Sequence, residues 1–129
     1  MNNASPAENS SADRMLFSIA AVFNWVVAVS LVAPGGLTWK ILDMPEPEQK
    51  LFVHLAAWLI AAFGLAYWWI ARNPVDKRPL IELAVVGKLG VFALAVGHLV
   101  FGTLPLMVFG LSIGDLVFAV LFIRVLRRA

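Results

Sequence analysis

Apolar residues in this chain fall into four long runs, at residues 15–33, 51–71, 80–102 and 104–126, and the polar residues gather between them. The runs hold 19, 21, 23 and 23 residues. At about 1.5 Å of rise per residue, each reaches ~28 Å or more as a helix, close to the hydrocarbon thickness of a bilayer. The first run is also longer than the core of a signal peptide, so it is expected to stay as an anchor. Backbone polar groups in lipid must be satisfied within the segment, which predicts helices. The strict apolar–polar alternation of a barrel strand is absent. The pattern therefore predicts an all-α integral membrane four-helix bundle.

The stretches between the runs set the connections. Residues 1–13, MNNASPAENSSAD, are small and polar without periodicity and read as a disordered tail. Pro34, Gly35 and Gly36 stop the first helix. Leu37, Trp39, Ile41, Leu42 and Met44 then suit the headgroup region, and DMPEPEQK reads as a polar turn. RNPVDKRP joins the second and third helices. Thr103 and Pro105 leave only a tight turn between the third and fourth, which predicts an antiparallel hairpin. No internal repeat is evident.

Composition agrees with the pattern. The 129 residues suffice for one domain, 61% of them are hydrophobic and 14% are charged. A soluble domain carries roughly 25% charged residues. The absence of cysteine removes disulfide, thiolate and Cys-type zinc chemistry. The net charge of +2 gives no nucleic-acid signal. What the basic residues do give is an orientation. With four spans, both termini and the second connection share a side that carries Arg14, Arg72, Lys77, Arg78, Arg124, Arg127 and Arg128. The other side has Lys40 and Lys50, diluted by Asp43, Glu46 and Glu48. Both termini are expected to be cytoplasmic. Tyr67, Trp68 and Trp69 then form an aromatic belt at that face, with Trp39 at the outer one. The closing RVLRR reads as a stop and anchor.

Polar residues inside the runs are costly at the bilayer centre, at least ~2.5–3.5 kcal/mol for a charge, and so are the informative positions. They are Asn24, His54, Lys88, His98 and Asp115, with Glu82 and Arg124 near the cytoplasmic edge. A hairpin turn centred near residue 103 sets position 118 opposite Lys88 and Arg124 opposite Glu82. Asp115 lies three residues from position 118, ~4.5 Å along the axis, within reach of a lysine stem. The register predicts a buried Lys88–Asp115 pair and an edge pair Glu82–Arg124. Asn24, among Ala20, Ala21 and Ala28, falls at the same depth, and one arrangement joins Asn24, Lys88, Asp115 and Ser112 in a single cluster. Such a cluster can simply hold helix register, or it can serve a proton-linked or ligand-binding site.

His54 and His98 lie at similar depth on the second and third runs. Two histidines can ligate a haem iron, with Trp58 and Phe101 as candidate walls, or each can make a helix–helix hydrogen bond. Gly90, Ala93 and Gly97 form a small face on the third run. Gly110 and Gly114 form a GxxxG on the fourth, a pattern that fits either a helix of the same chain or a second protomer.

ARNPVDKRPLIELAVVGKLGVF followed by GDLVFAVLF resembles small bacterial four-helix membrane proteins of the DoxX-like type. The likeness rests on Arg72, Asn73 and Pro74, on Gly87 and Lys88, and on Gly114, Asp115, Phe118, Ala119 and Phe122. It implies a bundle in the bacterial inner membrane and assigns no activity. Some relatives are linked to quinone-level redox chemistry. The expected function is a non-enzymatic membrane protein that binds a small lipophile, a membrane partner or a second copy. The alternatives are a proton-coupled small transporter, and a haem or quinone redox protein using His54 and His98. No metal site is expected.

Overall fold

Five helices make up the computed structural model, which describes residues 6–74 and 76–128, with side chains from Ser10 onward. They are α1 (Pro6–Val32), α2 (Leu37–Ile41), α3 (Lys50–Arg72), α4 (Arg78–Phe101) and α5 (Leu106–Arg128). Four of them, all but α2, are long and apolar enough to cross a membrane.

The helix ends follow local chemistry. α1 stops where Gly35 and Gly36 take φ of 91° and 70°, left-handed values that side-chain-bearing residues resist. Thr38 Oγ1 donates to Ser30 O at 2.6 Å and folds α2 back onto the end of α1. Asn73 precedes Pro74 and closes α3, since the residue before proline is pushed out of the helical region. Pro79 occupies the first turn of α4, where its missing N–H costs nothing. Gly102 to Pro105 separates α4 from α5.

Two boundaries differ from expectation. The segment Leu37–Ile41, expected within the first connection, forms a short helix of its own. α1 begins at Pro6, so residues 6–13, expected within a disordered tail, are helical, while residues 1–5 lie outside the described residues. At the inner end of that extension Arg128 Nη2 donates to Asp13 Oδ1 at 2.8 Å, tying α1 to the end of α5.

The long helices pack as two antiparallel pairs, α1 with α3 and α4 with α5. The pairs meet mainly at the end that carries the termini. There Phe17 of α1 stacks on Phe122 of α5, with ring centroids 4.5 Å apart and an interplanar angle of 15°. Tyr67, Ile70 and Ala71 of α3 and Ile81 and Ala84 of α4 complete this core. Beyond Lys88, α4 contributes no buried residue. Trp58 on α3 is 73% exposed and Phe101 on α4 is 92% exposed. The core shared by the two pairs thus lies at the terminal end, and α4 is uncovered beyond Lys88.

Tyr67 departs from the expected aromatic belt. It is buried in the core, while Trp68 and Trp69 face outward. Successive helical residues point about 100° apart, so three adjacent aromatics cannot share a face.

Candidate functional site

Small residues bring α1 close to α3. Ala20, Ala21 and Ala28 are buried, and Gly64 of α3 lies directly under the Trp25 indole. A methyl group at Gly64 would sit 2.6 Å from Trp25 Nε1. The close approach lets two successive α1 side chains bond to successive α3 carbonyls. Asn24 Nδ2 donates to Ile60 O at 3.1 Å, and Trp25 Nε1 donates to Ala61 O at 3.2 Å.

That geometry leaves Asn24 Oδ1 facing α4, where it accepts from Lys88 Nζ at 3.0 Å. Lys88 Nζ also donates to Asp115 Oδ1 of α5 at 2.7 Å. The ammonium faces three rings: Phe23 at 5.1 Å, Phe118 at 5.3 Å and Tyr67 at 5.5 Å from their centroids. These distances fall within the ~6 Å reach of a cation–π contact. Lys88 therefore touches all four long helices, and it is 4% exposed. Burying an unpaired ammonium would cost several kcal/mol or more, and here a carboxylate, an amide oxygen and three π-faces offset that cost. Among the described residues no buried side-chain nitrogen or oxygen lacks a partner.

The expected site residues divide into those that meet and those that do not. Asn24, Lys88 and Asp115 form one contiguous network. Ser112 is buried, but its hydroxyl donates to Phe109 O on its own helix, at 2.6 Å, and stays outside that network. The Glu82–Arg124 edge pair is corrected: Glu82 instead pairs with Arg78, at 3.1 Å, one turn back on α4. An i,i+4 partner on the same helix is always within reach and needs no interhelical register. His54 and His98 line different concavities, His54 beside Trp39 and Lys50, His98 beside Gly97 and Phe101. Exposed Trp58 and Phe101 do not close a haem cleft between them. Among the described residues no group of three or more His, Asp or Glu could hold a metal ion. A methyl group at Gly90, Gly97, Gly110 or Gly114 would meet nothing within 4 Å, so among the described residues neither small-residue face is covered.

Phe23, Phe118 and Tyr67 join the cluster beyond the residues that the sequence pattern places there. Two of them had a signal. Phe118 occupies the position that the hairpin register sets opposite Lys88, and Phe23 adjoins Asn24. Tyr67 had none, because its place depends on how α3 rotates against α4.

Comparison with protein-family models, with curated proteins and with solved structures finds no match. The site's own geometry carries the functional reading.

Proposed function

We infer that this chain is a multi-pass protein of a bacterial inner membrane, of the small DoxX-like four-helix type, with both termini in the cytoplasm. Its role is to bind a membrane lipophile or a membrane partner rather than to run a reaction. The enclosure of Lys88 carries this reading. A lysine used as a base or proton carrier needs a path to its substrate, whereas this ammonium is committed to Asn24, Asp115 and three aromatic faces. Its effect is to clamp the α1–α3 pair to the α4–α5 pair. The clamp and the aromatic core hold the terminal end, which frees the loop end to present apolar α3 and α4 surface to lipid or a partner. The concentration of arginine at the terminal end supports the cytoplasmic orientation.

Unfolding of purified protein in detergent tests the clamp. Asp115→Asn leaves the ammonium buried without its counter-charge and is expected to lower stability by ~3–5 kcal/mol. The double variant Lys88→Met with Asp115→Leu removes both charges and is expected to recover most of that loss. A single variant that unfolds like the parent would remove the clamp from the account.

A further inference from the structure

Two concavities lie side by side at the loop end, and neither belongs to the Lys88 cluster. The first, about 280 Å³, lies between the end of α1, α2 and the start of α3. Glu46, Lys50 and His54, at four-residue spacing, give it a polar side, and Pro34 and Val32 face them. The second, about 360 Å³, is a groove along α3 lined by Pro47, Phe52 and Ala56. Leu31, Trp39 and Val53 line both, so a polar chamber and an apolar groove share one wall.

The polar side carries an ion pair. Lys50 Nζ is bonded to Glu46 Oε1, and both side chains remain about half exposed. The Glu46 carboxylate lies over Gly36, where a methyl group would sit 3.0 Å from Oε2, so the left-handed glycine turn leaves room for it. Beside this chamber, Leu37 and Ile41 of α2 are exposed on one side of a helix that also carries Lys40. Apolar residues next to charged ones at the ends of spanning helices mark headgroup depth.

We propose that this pair of concavities binds one phospholipid whose head carries a primary ammonium beside its phosphate, the head in the polar chamber and an acyl chain in the apolar groove. The inference rests on the membrane reading above. Charge complementarity selects the head. A lone anion would approach Lys50 against the repulsion of Glu46. A head with an ammonium and a phosphate separated by an ethylene unit presents a dipole to the Lys50–Glu46 dipole, phosphate to Lys50 and ammonium to Glu46. His54 is placed to donate a further hydrogen bond to the phosphate. A trimethylated ammonium has no N–H for Glu46, and a glycerol head has no cation.

Native mass spectrometry of the detergent-purified full chain tests this, with ethanolamine, choline and glycerol phospholipids of identical acyl chains added at equal concentration. The ethanolamine lipid is expected to be retained about tenfold over the other two, the usual effect of one charge-assisted hydrogen bond. Glu46→Gln should bring the three lipids to parity, Lys50→Gln should weaken all three, and Lys40→Gln, outside both concavities, should change nothing. These residues are exposed and far from the core, so the unfolding curve should stay that of the parent. Equal retention by the parent, or a preference that survives Glu46→Gln, overturns the proposal. Displacement of the lipid by equimolar soluble phosphoethanolamine would assign the chamber to a free head and overturn the acyl-chain half. A dimer that retains no lipid would assign the surface to a second copy. A protein that stays soluble without detergent would instead defeat the membrane reading itself.

Discussion

An ammonium in an apolar bundle persists only where its neighbours replace water, and Lys88 shows what that takes. A single carboxylate would leave two of its three N–H groups without acceptors. Asn24 supplies a second acceptor because its amide is already oriented by Ile60 O, and the aromatic faces complete the shell. The contrast with Glu82 is instructive. Its pair with Arg78 is about half exposed at both ends, and such pairs contribute little against water and side-chain entropy. Glu82→Gln and Arg124→Gln are each expected to shift the unfolding free energy by less than ~0.5 kcal/mol in a denaturant titration. A loss of the size expected for Asp115→Asn would reveal an interhelical partner for Glu82 after all.

Helices of this chain approach one another through glycine and alanine, but only some of the small residues serve that purpose. Gly64 lies under Trp25, whose indole cannot swing away without losing its bond to Ala61 O. Gly64→Ala is expected to cost ~1–3 kcal/mol, as overpacking of a tight contact does. Gly110 faces open space on α5. Gly110→Ala should be neutral or stabilise by up to ~1 kcal/mol, because alanine is the better helix former. Thermal melts of both variants across a range of protein concentration separate the two surfaces. Destabilisation by Gly110→Ala that grows with concentration would mean that a second copy covers the GxxxG.

The whole molecule is asymmetric along its length. The Phe17–Phe122 stack, the buried lysine and the Asp13–Arg128 tie lie from the middle toward the terminal end, while toward the loop end Trp58, Leu94 and Phe101 are exposed. The proposed orientation, with both termini cytoplasmic, sets the loop end on the other side of the membrane. Because the chain has no cysteine, single introduced thiols report cleanly. In intact cells an impermeant thiol reagent is expected to label Lys40→Cys, and to label Lys77→Cys only after the membrane is opened. The reverse pattern would invert the topology and move the proposed lipid site to the cytoplasmic leaflet.

Length and hydropathy alone determined the four long helices and their approximate ends, the start of α1 excepted, because any backbone segment that apolar needs internal hydrogen bonds. The tight Gly102–Pro105 connection made α4 and α5 neighbours, and from that neighbourhood came the depth match between Lys88 and Asp115. Rotation of α1 and α3 against that hairpin was not legible, since both carry small residues on more than one face. Only the packed chain decided that Asn24 rather than Ser112 joins the lysine, and that Tyr67 turns inward while its tryptophan neighbours turn out. Packing likewise decided that Glu82 stays on its own helix and that the histidines line different concavities. Apolar periodicity records that a helix is buried. Which neighbour buries it is settled by side-chain shape and by the sum of many small contacts, and these exist only once all four helices have come together.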